Sequence, residues 1–305
     1  MAELIDMALF VQAAQAGSLS AAARKLGVSP AVASKRLARL ESQLGVRLLQ
    51  RNSRHLAPTD EGALYFERCQ AILSDVADAE SQLAQGRIEP HGTLRVSATT
   101  ALGRRWVGPV AAQFSAKYGQ VTVKLSLTEQ VVDVVDGGLD CAVRVGTVPD
   151  SRLIARKLAD NRRVVCATPG YLRRHGRPKT PADLQHHNCI VLAPADNALS
   201  VQWGFTGPQG ELQMPVSGRL VTDNGQLAHD WMLAGHGFAR RSLWDVASDL
   251  AEGRLVEVLG KWSQVDAPIS VVYPSRRFLP ARTRLFVDAL ADHFARAAKT
   301  LARNS

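Results

Sequence analysis

The 305-residue chain lacks several features that mark particular classes of protein. Its four cysteines are far apart and form no CxxC pair, which argues against a disulfide framework and favours reduced, mostly buried thiols. No apolar run approaches the ~20 residues that a membrane-spanning helix needs. Residues 1–15 have no basic start and no small-residue cleavage site, so we expect no secretory signal. These absences predict a cytoplasmic protein that is not inserted in a membrane.

Sequence patterns of the common catalytic classes are also missing. None of the motifs GxSxG, HExxH and the phosphate-binding P-loop occurs. The adjacent histidines His186 and His187 invite a catalytic or metal-binding interpretation, but they lie in a polar stretch, and no second cluster with metal-ligand spacing accompanies them. We therefore expect no catalytic activity, no cofactor and no metal ion. An enzyme is the first alternative interpretation, and the missing motifs argue against it.

Positive charge is concentrated in one short stretch of the chain. Residues 24–54 contain eight Lys or Arg and one acidic residue, a net charge of +7. Residues 60–89 carry a net charge of −5, and the whole chain has a formal charge of +9. A basic face is common on any protein surface, but this one coincides with a two-helix motif. That coincidence favours binding to nucleic acid.

Residues 18–44 have the pattern of a helix-turn-helix. An Ala-rich helix leads through Gly27 to Ser29, whose hydroxyl is suited to cap a second helix. Pro30 fits the first turn of that helix, because no amide donor is needed there. The second helix carries polar and cationic side chains of the kind that read a DNA major groove. The candidate DNA-binding residues of this motif are Ser29, Pro30, Ala31, Ser34, Lys35, Arg36 and Arg39.

Two further elements complete a small domain over residues 1–58. A helix over residues 4–16 precedes the motif. Residues 46–58 are typical of two short strands, the hairpin or "wing" of a winged domain, whose Arg51 and Arg54 we expect at DNA phosphates. We assign the interior of the three-helix unit to six apolar residues, Leu26, Val28, Val32, Leu37, Leu40 and Leu44.

A long helix follows, with Thr59 as its cap and its end near Gly86. Apolar residues recur in it at alternating spacings of four and three, the a/d seam of a coiled coil: Tyr65, Cys69, Ile72, Val76, Ala79 and Leu83. A helix of ~25 residues is ~37 Å long, and a seam of that length predicts a dimer contact. The alternative is that this helix packs on the core of its own chain. We assign residues 59–91 to a linker and dimerisation helix with a hinge.

From residue 92 onward the sequence alternates strands and helices. This rhythm predicts an α/β fold with a mainly parallel sheet covered on both faces. The first predicted elements are strands at 93–98, 121–127 and 140–146, with helices at 102–118 and 129–137. A second series begins near residue 162, and the chain closes with a strand at 269–275 and a helix at 280–302.

Together these features resemble the LysR-type transcriptional regulators, along nearly the whole chain. The likeness is strongest over residues 17–62, in the ordered set AAxxL, V-S-P, S-K/R, L-E-x-x-L-G, L-x-R and T-x-x-G. The resemblance implies a multidomain α/β protein with an N-terminal winged helix-turn-helix, a linker helix and a two-lobed effector domain like a periplasmic binding protein. The implied effector domain covers residues 92–305. Its first lobe would comprise 92–162 and 268–305, and its second lobe 163–267. The chain would pass between the two lobes near 162–167 and again near 266–269.

The recognition helix departs from the family pattern at one position. Many members carry a glutamine where this chain has Pro30. A proline cannot make that polar base contact, so we expect base reading to shift to Ser34, Lys35 and Arg36.

The effector site is expected between the two lobes. Ligands of open α/β sheets bind at the carboxyl ends of strands, and the resemblance points to the same ends. Arg240 and Arg241 replace apolar residues that relatives tend to carry there, which adds two cations. Arg144, Arg240 and free helix amides favour a small carboxylate as effector. The candidate effector-binding residues are Thr99, Thr100, Leu102, Thr128, Arg144, Gly146, Trp203, Asn224 and Arg240.

The sequence thus predicts a homo-oligomeric transcription regulator, dimeric or tetrameric, whose two-fold symmetry reads an inverted-repeat operator. Its expected partners are double-stranded DNA, a small-molecule effector and RNA polymerase. A transport-type binding protein is the second rival, since residues 92–300 alone would resemble one; the missing export signal and the DNA-binding motif argue against it. A heparin column distinguishes these classes. A DNA-binding regulator should elute only at substantial salt, because its binding to a polyanion depends steeply on salt, whereas a transport protein or an enzyme should not bind.

Overall fold

The computed structural model describes residues 2–51, 56–83, 89–146, 150–193, 201–207, 210–262, 267–275 and 279–303. It consists of two compact units, Met1–Glu89 and Pro90–Ser305. Of the helices described, none is both long and apolar enough to cross a bilayer.

The first unit is helical, with one two-stranded hairpin. Its elements are α1 (Leu4–Ala16), α2 (Leu19–Lys25), α3 (Pro30–Leu44), β1 (Leu49–Arg51), β2 (Leu56–Pro58) and α4 (Asp60–Leu83). The antiparallel pair β1–β2 is the predicted wing, and its tip, including Asn52-Ser53, lies outside the described residues. A fully buried Phe10 of α1 lies at the centre of the core, against Tyr65 and Phe66 of α4.

The start and end of α3 follow from its sequence. The Ser29 hydroxyl accepts a hydrogen bond from the Val32 amide at 3.3 Å, so the predicted cap is confirmed, and Gly45 ends the helix in the left-handed conformation. The inward stripe of α3 is Ala33, Leu37 and Leu40.

Two residues that we assigned to the interior of this unit are exposed instead. Val32 keeps 44% of its surface and Leu44 39%. Val32 lies one residue from the inward stripe, about 100° around the helix, and Leu44 lies in its last turn, where no other element covers it. Exposed apolar residues of this kind are ordinary on protein surfaces.

The T-x-x-G motif has a steric explanation at the start of α4. The Thr59 hydroxyl accepts a hydrogen bond from the Gly62 amide at 3.0 Å and donates one to the Arg47 carbonyl at 2.7 Å, so Thr59 is the predicted cap. A Cβ at Gly62 would collide with the carbonyl oxygen of Leu48. Glycine is therefore required there, because the chain entering the wing passes directly over the helix.

The first half of the proposed coiled-coil seam packs on its own chain. Cys69 is fully buried, and Tyr65 is half-buried against Phe10, with ring centroids 5.7 Å apart. For Cys69 the alternative, packing on the chain's own core, is correct, because a fully buried side chain cannot reach a partner, and the dimer assignment of the half-buried Tyr65 stays a prediction. The seam opens to solvent from Ile72, which is 40% exposed, and Val76 is half-buried. The side chains of Ala79 and Leu83 lie outside the described residues.

The second unit contains two main sheets and two smaller strand pairs. Its strands are β3 (Gly92–Ala98), β4 (Val121–Leu127), β5 (Cys141–Val145), β6 (Leu153–Ala159), β7 (Arg163–Ala167), β8 (Val191–Leu192), β9 (Val201–Gly207), β10 (Gly210–Val216), β11 (Val221–Thr222), β12 (Ala239–Ser242), β13 (Val256–Val258) and β14 (Ile269–Pro274). Its helices are α5 (Thr100–Leu102), α6 (Gly108–Lys117), α7 (Pro169–His175), α8 (Gly225–Leu233), α9 (Leu243–Ala251) and α10 (Ala281–Arg303), with a π-helical turn at Gly103–Val107 and a 3-10 turn at Pro181–His186.

The larger sheet has the strand order β4-β3-β5-β14-β6. Strands β3, β4 and β5 pair in parallel, as predicted, but β14 pairs antiparallel with both of its neighbours, so two of the four strand pairs are antiparallel and the sheet is mixed. The helix predicted over 129–137 is wrong, because turns occupy that stretch. There the Asp133 carboxylate accepts hydrogen bonds from the amides of Val135 and Asp136, each 2.8 Å, and this local bonding competes with a helix.

The smaller sheet has the order β12-β7-β13, with all pairs antiparallel. The hairpin β9–β10 and the parallel pair β8–β11 accompany it. The chain passes from the larger to the smaller sheet between β6 and β7, and returns between β13 and β14. We call the larger sheet with its helices the first lobe and the smaller one the second lobe.

Asn161 ties the two connections between the lobes together. This residue is 5% exposed; its side-chain amide donates to the carbonyl of Ala267 at 2.8 Å, and its side-chain oxygen accepts from the Ser242 hydroxyl at 2.7 Å. Asn161 stands in the outgoing connection and Ala267 in the returning one, so a single side chain holds both.

Asn161→Ala should lower the free energy of unfolding by about 2 kcal/mol, because it leaves a buried carbonyl and a buried hydroxyl unpaired. Denaturant unfolding followed by tryptophan fluorescence measures this loss, since all five tryptophans belong to the second unit. Gln213→Ala, at an exposed position of β10, should change stability by less than ~0.5 kcal/mol. Equal effects of the two substitutions would contradict the assignment.

The four cysteines, Cys69, Cys141, Cys166 and Cys189, are free and buried, as the sequence predicts. Burial raises the pKa of each thiol above its ordinary value, to about 12 for Cys189.

Candidate DNA-binding surface and effector cleft

One side of α3 is free for contact with DNA. Five of the predicted DNA-binding residues are exposed on its first two turns: Ser29, Pro30, Ala31, Ser34 and Lys35. Because Ala33, Leu37 and Leu40 face inward, residues 31, 34, 35 and 38 share the opposite, outward face. Lys35 is the cation of that face.

Arg36 and Arg39 are both paired with acidic residues of α1. Arg36 Nη1 lies 2.9 Å from Asp6 Oδ1, and Arg39 Nη2 lies 2.6 Å from Asp6 Oδ2. Glu3 adds weaker contacts to the same two arginines, at 3.4 and 3.0 Å. Both guanidinium groups are therefore engaged with α1, and they fix the recognition helix α3 against it. The Arg36 side chain stays 29% exposed, so its base-reading role stays a prediction, and the ion pair gives it a structural role in addition.

The acidic partner of these arginines is fully enclosed. The side chain of Asp6 is 0% exposed. Its burial opposes ionisation, but hydrogen bonds from Arg39 and then Arg36 outweigh burial and hold the pKa of the carboxyl below its ordinary value. Asp6 is thus a buried carboxylate that two half-exposed cations keep charged. The sequence showed only an acidic residue in the first turn of α1, where the helix dipole would also favour it.

The wing is positioned by Glu41 of α3. Glu41 Oε1 accepts hydrogen bonds from the amides of Leu48 and Leu49, at 2.8 and 3.1 Å. These bonds fix the start of β1 against the end of the recognition helix. The side chain of Arg51 and the whole of Arg54 lie outside the described residues, so their phosphate contacts stay a prediction.

A cavity of about 670 Å³ lies between the two lobes of the second unit. Six of the nine predicted effector-binding residues line it: Thr99, Thr100, Thr128, Arg144, Asn224 and Arg240. The first four come from the carboxyl ends of β3, β4 and β5, and the last two from α8 and β12. Asn224 also caps α8, since its side-chain oxygen accepts from the Gln226 and Leu227 amides at 2.9 and 3.0 Å. We call this cavity the cleft.

Three predicted effector-binding residues do not line the cleft. Leu102 is 1% exposed and packs in the core of the first lobe, because the side chain of the first helical turn points back onto the sheet. Trp203 is 3% exposed in the core of the second lobe, beneath the Arg240 guanidinium at 6.0 Å. The Gly146 amide donates to the Pro268 carbonyl at 2.8 Å, so it holds the end of β5 against the returning connection.

The cleft also contains charged residues that our list of candidate residues omitted, although the sequence analysis had already placed Arg241 beside the site. Glu129 follows β4, Arg163 begins β7, Arg241 lies on β12 and Asp245 lies on α9. A usable signal was present for two of them. Arg163 and Arg241 interrupt otherwise buried strands, and a charge in such a strand needs a partner or a ligand.

Cations predominate in the cleft, and two of them have only neutral partners. Arg144 donates to the Ser97 hydroxyl at 2.8 Å, and Arg240 donates to the Gly204 carbonyl at 3.4 Å. Neither arginine forms an ion pair with an acid in the part of the chain that the structure describes. Burial lowers the pKa of both, to about 10 for Arg240, and guanidinium groups stay protonated in proteins. Two desolvated cations facing one cavity create an attractive field for an anion.

Arg241 and Asp245 form a buried ion pair beside them. Arg241 Nη2 lies 3.2 Å from Asp245 Oδ2, and the two side chains are 6% and 10% exposed. Burial raises the pKa of Asp245, and the charge of Arg241 acts in the opposite direction. Within the described ranges, no group of three or more His, Cys, Asp and Glu side chains is arranged to hold a metal ion.

Comparison with known proteins gives the family. The description "Bacterial regulatory helix-turn-helix protein, lysR family" matches residues 4–63, and "LysR substrate binding domain" matches residues 87–295. The chain belongs to the LysR family. This LysR-type regulator is 37% identical to the HTH-type transcriptional regulator DmlR of Escherichia coli (strain K12), over 292 residues that cover 96% of this chain and 94% of that protein.

Solved structures of LysR-type regulators have the same architecture. CrgA from Neisseria meningitidis is 32% identical and covers 95% of this chain and 98% of its own, with a TM-score of 0.61. The Vibrio cholerae virulence activator AphB, in its full-length structure, is 28% identical and covers 95% and 99%, with a TM-score of 0.60. The predicted family, fold class and general function, a DNA-binding transcriptional regulator with an effector domain, are therefore confirmed. LysR-type regulators bind DNA and small-molecule effectors and form oligomers.

Proposed function

We propose that this LysR-type regulator reads an inverted-repeat operator through the outward face of α3 and responds to a small carboxylate bound in the cleft. The observation that carries the effector class is the pair Arg144 and Arg240, a buried and a half-buried cation whose hydrogen-bond partners among the described residues are all neutral. The hydroxyls of Thr99, Thr100 and Thr128 line the same cavity and offer hydrogen bonds to carboxylate oxygens. A carboxylate would supply an acidic hydrogen-bond partner that neither arginine has among the described residues.

On the DNA side, Lys35 and Ser34 are the proposed base-reading residues. Both are exposed, and they lie next to each other on the outward face of α3. A lysine in this position can donate to guanine N7 and O6, and a serine hydroxyl can pair with several base edges. Arg36 and Arg39 also act indirectly, by holding α3 against α1. The exposed part of the α4 seam, from Ile72 onward, is our candidate for the dimer contact that sets half-site spacing.

The experiment that tests this function is a gel shift with the DNA upstream of the gene for this chain and of its divergent neighbour. Wild-type protein should give a shift that resists non-specific competitor DNA. No shift at low salt would leave a small-molecule-binding protein as the better interpretation.

Lys35→Ala should weaken binding to the specific site roughly tenfold or more and should relax discrimination against altered bases. Lys124→Ala is the matched control, because it removes the same charge from an exposed position on β4 of the second unit. Titration of both variants against specific and scrambled duplexes measures the difference. If Lys35→Ala weakened both duplexes equally, Lys35 would be a phosphate contact and the base-reading role would be wrong.

We further propose that the regulator acts in the cytoplasm, where bacterial DNA is, that it contacts RNA polymerase when bound upstream of a promoter, and that it has no catalytic activity. The family consists of transcriptional regulators, which supports the last point.

A further inference from the structure

The carboxylate of Glu129 stands at the junction of the two lobes. Glu129 Oε1 accepts a hydrogen bond from the amide of Thr100, at 3.1 Å, where the helical segment of the first lobe begins. The same oxygen faces the second lobe: a Cβ placed on Gly225 would lie 3.2 Å from it. That Cβ would also lie 3.1 Å from both terminal nitrogens of Arg241. Glycine at position 225 therefore leaves room for a carboxylate and a guanidinium to approach from opposite lobes.

Arg241 has hydrogen-bonding capacity left for an anion. It is 5% exposed, and its only described acidic partner is Asp245, through Nη2. Its Nε has no hydrogen-bond partner in the part of the chain that the structure describes. Buried guanidinium groups normally use their donors, so an incompletely paired one beside a cavity favours a further acceptor.

We infer that, when no effector is bound, the carboxylate of Glu129 occupies the position of the effector's carboxylate. An effector then binds by displacing Glu129. This inference rests on the proposed function and names, within that site, the point at which the anionic group binds. The Thr100 amide holds the Glu129 carboxylate, and the Arg241 guanidinium, which faces the same space beside Gly225, is a further donor for the effector. Two carboxylates cannot share these donors, because like charges at such a separation repel strongly.

A tethered competitor sets a threshold for the effector. A group held on the same chain has an effective concentration in the millimolar range or above, and a free ligand must outcompete it. A lone carboxylate bound only at this point would do so poorly. An effector that also accepts hydrogen bonds from Arg144 or Arg240 gains bonds that Glu129 does not make among the described residues. When Glu129 is displaced, its carboxylate no longer lies between the two lobes. Effector binding is thereby coupled to the relative position of the lobes.

The test uses the full chain and sodium acetate, with sodium chloride at equal ionic strength as the reference. Tryptophan fluorescence during heating reports the second unit alone, because all five tryptophans lie there. A ligand that binds the folded state raises the unfolding midpoint once its concentration exceeds its Kd. Glu129→Gln removes the charge but keeps the side-chain length. We expect the acetate-dependent rise of its midpoint to begin at roughly tenfold lower acetate than in wild type.

Two further variants separate displacement from a general change in charge. Asp223→Asn removes one negative charge from the lining of the same cavity, and it should respond to acetate like wild type. Glu129→Asp keeps the charge but draws the carboxylate back by one methylene, and it should respond like Glu129→Gln. It also supplies the test if Glu129→Gln does not fold.

The outcomes separate this inference from the proposed function. If wild type and both Glu129 variants respond at the same acetate concentration, the cleft binds carboxylates but Glu129 does not compete, and only the inference is overturned. If Asp223→Asn gains affinity as much as Glu129→Gln, the effect is one of general charge, and again only the inference fails. If neither Glu129 variant responds to acetate beyond chloride, the donors freed by the substitution do not bind a carboxylate and the inference is overturned, whereas the proposed carboxylate class, which rests on Arg144 and Arg240, is not decided by acetate alone.

Discussion

Asp245→Leu should lower the free energy of unfolding of the second unit by about 3 kcal/mol. The substitution leaves the Arg241 guanidinium buried without an acidic partner among the described residues, and breaking one side of a buried ion pair is strongly destabilising. The two side chains are 10% and 6% exposed, so solvent offers little compensation. Urea unfolding followed by tryptophan fluorescence measures the change.

The double variant Arg241→Met with Asp245→Leu is the matched control. Replacing both charges with apolar side chains of similar volume should restore stability to within about 1 kcal/mol of wild type, because no charge is then left unpaired. The same double variant should no longer respond to acetate, since it lacks the Arg241 donors. A double variant as unstable as Asp245→Leu alone would show that the loss comes from packing and not from the unpaired charge.

Asp6→Ala should destabilise the first unit by about 2 to 3 kcal/mol. It removes the fully buried carboxylate that accepts hydrogen bonds from Arg36 and Arg39, and hydrogen bonds to charged groups contribute about 1.5 to 3 kcal/mol. The first unit contains no tryptophan, so hydrogen exchange of the amides of α1 and α3 is the suitable measurement. DNA binding should weaken as well, because α3 is no longer fixed against α1.

Glu3→Ala is the control for this prediction. Glu3 contacts the same arginines but is 55% exposed, so its loss should matter by less than ~1 kcal/mol. If the two substitutions lowered stability equally, burial of Asp6 would not be the reason for its contribution, and the prediction would be contradicted.

The contribution of Asp6 should also depend on pH in a defined direction. Its pKa in the folded protein lies below the ordinary value of 3.8. Its stabilising effect is therefore complete above that value and is lost as the pH falls through the lower, folded-state pKa. The difference in exchange between wild type and Asp6→Ala should narrow in that acidic range.

Local patterns predicted the first unit well. Caps, the Ser29-Pro30 start of α3, the turn glycines and the wing depend on neighbouring residues, so the sequence contains what is needed to infer them. The prediction of a helix over 129–137 was wrong, and the cause is again local. The Asp133 carboxylate accepts hydrogen bonds from the amides of Val135 and Asp136, which favours turns over a helix. That choice depends on one side-chain rotamer, which periodicity does not reveal.

Roles that depend on distant partners were harder to predict. The charge and position of Arg36 suited a base-reading role, but its ion pair with Asp6 was missed because Asp6 lies thirty residues earlier in the sequence. Strand ends gave Thr99, Thr100, Thr128 and Arg144 correctly as cleft residues. Leu102 and Trp203 were wrong, since the direction of a side chain near a strand end is set by the packing of the whole lobe. Glu129 was missed because its significance comes from Gly225 and Arg241, in the other lobe.

The burial of all four thiols restricts the signals to which this regulator can respond. Oxidants attack the thiolate, and burial keeps each of these sulfurs protonated at neutral pH and away from solvent. In this conformation none of the four cysteine thiols is poised to react with peroxide. Because the native thiols are buried, a thiol-reactive probe should modify them slowly. A single cysteine introduced at an exposed position, for example at Val131 beside the cleft, would be the one thiol that such a probe modifies readily.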